Sequence, residues 1–252
     1  MLLDRLGPHD VFSLVTFHNE AKTIIASEFI RKMNRKEVDE LVNSKFESGG
    51  TTISTGFHEA VKNINLFRKN HELSNYEHRV VMLTDVCDNS VAGEEKLIRQ
   101  ISDSGISTTI IGVSTDFQSQ TCEKLIKVKG FNYLCAVENE DLQTYLVDQF
   151  DYTFFPCVQD TTITITSEDI DQIEVFGSVD SDVKYATSNH TFTVTKMKSG
   201  FPSALALNKQ GQVETMGGLI LVKFTSTQKE GLPKISLRID ADYSDMEGKS
   251  LK

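Results

Sequence analysis

Up to about residue 151, short apolar runs alternate with stretches whose apolar residues recur three and four positions apart. VFSLVTF (Val11 to Phe17), KTIIAS (Lys22 to Ser27), RVVMLTD (Arg79 to Asp85), STTIIGVS (Ser107 to Ser114) and NYLCAVE (Asn132 to Glu138) are β-rich and bounded by turn formers, which predicts strands. Between them RKEVDELVNSKF, TGFHEAVKNINLF, GEEKLIRQISDSG, SQTCEKLIKV and EDLQTYLVDQF carry helical spacing. VVML and TTIIGV are apolar without a break, as strands of a parallel sheet covered by helices on both faces must be. The first half is therefore α/β.

The second half changes period. TTITITSED, QIEVFGS, DVKYATS, HTFTVTKM, GGLILVKFTS and KISLRIDADYS mostly alternate, are rich in Thr, Val and Ile, and are separated by short Gly, Asn, Ser or Pro turns. They predict a smaller all-β antiparallel sandwich. The pattern switches at FDYTFFPCVQD, which divides the chain into residues 1–151 and 152–252.

Composition narrows the function. Of 252 residues, 39% are hydrophobic, enough for a real core, and 36 acidic against 26 basic residues give a formal charge of −10, which opposes a nucleic-acid partner. No apolar run approaches the ~18 residues that span a bilayer, and MLLDRLGPHD has no signal-peptide character. The chain reads as soluble, with the cytoplasm favoured. Cys87, Cys122, Cys135 and Cys157 are far apart and form no CxxC pair, so buried reduced thiols are expected rather than a zinc cluster or disulfide scaffold.

In an open α/β sheet, ligands gather beyond the carboxyl ends of the strands. Asp85 closes RVVMLTD there, after Thr84, and Ser114 to Asp116 follow the next strand. The loop FESGGTTISTG (Phe46 to Gly56) sets two glycines against two threonines before a helical pattern, a composition open to phosphate, to a metal ion or to a plain helix cap. If the loop reaches the same edge, Thr51 and Asp85 offer hard oxygens to Mg²⁺, Ca²⁺ or Mn²⁺; otherwise Thr51 or Thr52 and Asp85 merely cap helices.

Taken together, LGPHDVFSLVTF, GGTTISTGFHEA, VVMLTD and GISTTIIGVSTDF, in that order over residues 1–151, resemble a von Willebrand factor A domain. The resemblance implies a Rossmann-like doubly wound sheet and a metal-ion-dependent adhesion site (MIDAS) with Thr51 and Asp85 as ligands. Its ion would help capture an acidic group of a protein partner. The family's Asp-x-Ser-x-Ser strand has no counterpart before LGPHDVFSLVTF, and Val86 stands where glycine usually follows the LTD aspartate. The expectation is a truncated chain with its first strand missing, a metal site that is weak or absent, and unpaired edges on VFSLVTF and VVMLTD unless the sheet closes up. The β-rich half resembles, more loosely, proteins labelled calcium-activated chloride channel homologues.

Rival readings have less to stand on. His58-Glu59 in HEAVKN and the HELSN stretch both lack the second histidine of a zinc protease, leaving His58 an ordinary helix-face residue. No GxSxG elbow occurs, and ESGGTTIST lacks both G-x-G-x-x-G spacing and a Walker lysine. No enzyme is expected. The alternatives kept are a nucleotide- or phosphate-binding Rossmann-like domain, and a part of a larger enzyme, such as a ubiquitin ligase, with its catalytic part elsewhere.

Overall fold

The computed structural model describes residues 2–44, 52–72, 76–85, 91–113, 125–178, 186–187, 190–201, 204–207, 213–216, 219–226, 234–246 and 248–251. The chain divides into two compact units: Met1–Cys122 with Asn132–Phe150, and Glu123–Phe131 with Asp151–Lys252. No helix among the described residues is long and apolar enough to cross a membrane.

The first unit is α/β. Strands β1 (Val11–Phe17) and β2 (Ala21–Phe29) form an antiparallel hairpin whose register runs from Phe17 opposite Ala21 to Val11 opposite Phe29. Strand β3 (His78–Thr84) runs parallel to β4 (Ile106–Val113), and β5 (Phe131–Ala136) lies on the far side of β4. Helices α1 (Arg35–Val42), α2 (Ile53–Asn70) and α3 (Val91–Asp103) connect them. Asn34 starts α1 by accepting the Lys36 N–H at 3.2 Å, an N-cap that satisfies one orphan donor.

Helix α2 packs on β1 and β2. Its Phe57 is fully buried, and Phe67 meets Phe29 edge-on at 5.3 Å while stacking on His71 at 4.0 Å. At its C-terminal end Arg68 donates to the carbonyls of Ser104 and Gly105, both at 3.1 Å, tying α2 to the turn that feeds β4. Gly105 sits there at φ 72°, where a side chain would be strained.

Among the described residues, the hairpin β1–β2 and the sheet β3–β4–β5 are separate sheets, β1 pairing with β2 and β3 with β4. Burial records the consequence. None of the seven residues of β1 is buried, whereas six of the eight in β4 are.

In the second unit, β6 (Val158–Thr166) lies between β13 (Arg238–Ser244) and β9 (Thr191–Gly200), with β14 (Ser250–Leu251) and β8 (Ala186–Thr187) outside them. A second sheet pairs β7 (Ile170–Phe176) with β12 (Leu221–Ser226), and β10 (Ala204–Leu207) pairs with β11 (Val213–Met216). Ile165, Phe192 and Val194 from the larger sheet pack with Ile170 and Ile173 from the β7–β12 pair, the two inner faces closing one core as sandwiches do. Among the described residues these strands pair antiparallel. The architecture is thus a Rossmann-like α/β part followed by a β-rich part, as the change of period predicts.

Two details differ from the sequence reading. Cys135 and Cys157 are exposed rather than buried; Cys87 and Cys122 lie outside the described residues. EDLQTYLVDQF is a short helix (Asn139–Gln143), a π turn (Thr144–Asp148) and a second short helix (Phe150–Phe154), not one continuous α-helix. Its start is held by Asp141, whose carboxylate accepts the N–H groups of Val137 and Glu138 at 2.8 and 3.0 Å.

Candidate functional site

The carboxyl ends of β1, β3 and β4 open onto one cavity of about 780 Å³. Val15, Thr16, Phe17 and His18 line it from β1 and its turn, Leu83, Thr84 and Asp85 from the end of β3, and Val113 from β4. Lys22, Thr23 and Ile24 at the start of β2, with Leu41 and Ser44 from α1 and just beyond, complete the wall. The last residues of β1 and β3 reach the same space, and the cavity sits where the strand-end rule puts a ligand.

Asp85 is exposed at this mouth and Thr84 beside it is buried. Thr51 lies outside the described residues, but its neighbour is fixed: the Thr52 N–H donates to the His18 carbonyl at 2.9 Å, and His18 lines the same cavity as Asp85. Thr52 is the N-cap residue of α2: its carbonyl accepts the Thr55 N–H at 3.2 Å, and its side chain makes no cap hydrogen bond among the described residues. Ser114 to Asp116 and Val86 also lie outside the described residues.

The floor is braced by a small polar network. Thr23 donates to Glu59 at 2.7 Å and accepts from the buried Asn63 amide at 2.7 Å, while Lys62 holds the same Glu59 carboxylate at 2.9 Å. The Lys62 hydrogen bond first, and that of Thr23 second, keep the Glu59 carboxyl below the usual carboxylate range. Glu59 is thereby committed to fastening α2 onto β2. Neighbouring His58 is exposed, its ring nitrogen bonded to the Ser54 carbonyl at 2.7 Å, the ordinary helix-face position expected of it.

At the opposite end of β3, burial lowers the pKa of Arg79 to about 10; it donates to Thr109 at 3.0 Å and its Nη2 lies 3.7 Å from Glu77, while Nε and Nη2 have no hydrogen-bond partner among the described residues. No group of three or more His, Cys, Asp or Glu with metal-binding geometry occurs among the described residues. The wall brings together the Asp85 carboxylate, the His18 imidazole, the Lys22 ammonium and the Thr16 and Ser44 hydroxyls.

His18 and Lys22 were not among the sequence candidates. The strand-end rule that selects Asp85 would have found His18, the residue after VFSLVTF; Lys22 reaches the site only through the hairpin register, which sequence does not show.

A family model described as von Willebrand factor type A domain matches residues 2–149. No curated protein matches the chain. Among solved structures it is similar to a von Willebrand factor type A protein from Catenulispora acidiphila, with TM-score 0.54, 13% identity, and coverage of 99% of this chain and 57% of that one. It is also similar to proximal thread matrix protein 1 from the mussel byssus, with TM-score 0.50, 20% identity, and coverage of 63% and 41%. A form of that mussel protein with a zinc-occupied MIDAS motif aligns at TM-score 0.48 and 18% identity, covering 60% of this chain and 39% of that one. The chain thus spans about half the length of the structures it matches.

Proposed function

Because the chain belongs to the von Willebrand factor type A domain family, we propose that it is a protein-binding module whose grip on an acidic group of its partner runs through a divalent cation held by Asp85 and Thr51. Mg²⁺ is the first choice, with Ca²⁺ and Mn²⁺ as alternatives. The observation that carries this reading is the cavity at the strand ends: Asp85 stands in its wall beside His18, and the His18 carbonyl holds the Thr52 N–H. Thr51 immediately precedes that anchor.

The bound cation would supply a positive charge to which a partner's carboxylate can add. Asp85 provides the anionic oxygen, Thr51 a neutral one, and Thr52 positions the loop by its backbone. Two protein ligands leave most of an octahedral Mg²⁺ shell to water, so the ion is held weakly until a partner contributes. No proton transfer or nucleophile is required. The module occupies residues 1–151, with the β-rich part as its support.

Calorimetric titration of Mg²⁺ into the chain, into Asp85→Ala and into Thr51→Ala tests the assignment. Weak binding that falls at least about tenfold in Asp85→Ala, equivalent to ~1.4 kcal/mol, is expected. Equal affinity in all three proteins removes Asp85 and Thr51 from the site.

A further inference from the structure

The cavity beside Asp85 carries a fixed positive charge of its own. On β2, Thr23 is turned toward α2, where it bonds Glu59 and Asn63. Side chains alternate along a strand, so Lys22 stands on the opposite face, across from Thr16 of β1. The same alternation holds on β3. Met82 and Thr84 are 4% and 6% exposed, with Met82 near Gly56 of α2, while Leu83 between them is 44% exposed. Lys22 and Leu83 thus both face away from α2, and both line the cavity. Helix α1 brings Leu41, 40% exposed, into the same wall.

This side of the cavity combines one exposed ammonium with two open leucines. An ammonium beside apolar surface attracts an anion more strongly than one in bulk water, because less solvent screens it. The leucines gain by meeting an apolar group in place of water. At about 780 Å³ the cavity falls within the ~300–1,000 Å³ of ligand pockets, room for a few side chains of a peptide. Asp85 has the same sign as an incoming acid. It pushes that acid off the strand end and toward Lys22 unless a cation intervenes.

We propose that Lys22 selects the partner's acidic group: its ammonium pairs with an aspartate or glutamate carboxylate, and Leu41 and Leu83 receive the large apolar residue next to that acid. The recognised segment is therefore an acid with an apolar neighbour, held in part without any metal ion. This inference rests on reading the cavity as the site of the partner's acid, and not on the cation at Asp85 and Thr51.

The test is an NMR titration of the ¹⁵N-labelled chain, in EDTA, with the end-blocked peptide Gly-Leu-Glu-Leu-Gly and its counterpart with glutamine at the centre. The glutamate peptide should shift the amide signals of Thr16, Lys22 and Leu83 and bind about three- to fivefold more tightly than the glutamine peptide, the scale of a partly exposed ion pair. Lys22→Gln should bind the two peptides equally and, since Lys22 is exposed, unfold at the parent's temperature. Leu83→Ala should weaken both peptides by a similar factor. No binding of the glutamate peptide in EDTA, equal affinity of the parent chain for both peptides, or an undiminished preference in Lys22→Gln would each overturn the proposal. Asp85→Ala separates it from the metal assignment. In EDTA that variant should bind the glutamate peptide at least as tightly as the parent, because a like charge has gone, and weaker binding there would overturn the proposal. Titration with Mg²⁺ alone decides the other reading: a chain that ignores Mg²⁺ yet prefers the glutamate peptide in EDTA keeps Lys22 as the selecting residue and loses only the cation.

Discussion

Gly56→Ala probes how α2 holds the two sheets. A Cβ at Gly56 would stand 2.8 Å from Phe17 Cγ, 3.0 Å from Phe17 Cδ1 and 3.2 Å from Met82 Cε, all inside the ~3.5–4.0 Å of a relaxed carbon contact. Met82 Cε ends a flexible chain and yields readily. Phe17 Cγ is the root of its ring, one bond from Cβ, and moves only if χ1 leaves its staggered well at ~0.5–1.5 kcal/mol or if α2 lifts off the strands. Overpacking of this kind costs ~1–3 kcal/mol. Against it, alanine gains ~1 kcal/mol over glycine inside a helix. The expected net loss is about 1 kcal/mol, or a melting point lower by ~2–4 °C for a chain of this size. Urea unfolding followed by the helical circular-dichroism signal reports on the α/β unit, which contains α1, α2 and α3. In a Phe17→Ala background the clash is gone, and the same substitution should be neutral or stabilising, a coupling of ~1–2 kcal/mol. If Gly56→Ala stabilises both backgrounds equally, Phe17 does not restrain α2.

In the β-rich part, Gly177→Ala should cost ~1–3 kcal/mol in urea unfolding, because φ 78° strains any side chain and the new Cβ would press on the Leu219 carbonyl. Phe192→Ala should cost ~3–5 kcal/mol in the same assay, since Phe192 is 1% exposed at the centre of the sandwich core. Burial, with Arg68 nearby, holds His78 below its ordinary value of 6.5. The folded state thus resists its protonation: the neutral form's contribution is fully present above pH 6.5 and is lost as pH falls through the lowered value. Melting points measured across that window should fall on acidification in the parent chain and fall less in His78→Gln.

The elements that the sequence disclosed best are those with an unmixed period. VFSLVTF coincides with β1, and RVVMLTD and STTIIGVS are each displaced by one residue from β3 and β4. TGFHEAVKNINLF falls inside α2, which extends two residues earlier and three later, because polar end residues carry helical backbone without marking the apolar stripe. The π turn at Thr144–Asp148 escaped notice since one extra residue in a turn barely changes which positions are apolar. Asp85 was legible because LTD closes an apolar strand. Its surroundings were not: Lys22, Leu41 and Ser44 arrive from a hairpin register and a helix end, which are long-range properties. The exposed Cys135 and Cys157 show the same limit, since a cysteine's burial depends on what packs over it.

The second unit draws on Glu123–Phe131 as well as on everything after Phe150. Within it, Leu125, Val128 and Phe131 are 1%, 3% and 2% exposed, and the Gly130 N–H donates to Ser199 Oγ at 2.8 Å. A chain emerging from the ribosome offers this nine-residue stretch long before Ser199 exists. At the ~5–20 residues per second of synthesis, the Gly130 N–H waits several seconds for the Ser199 hydroxyl that accepts it. Cutting the gene after residue 151 would make that wait permanent.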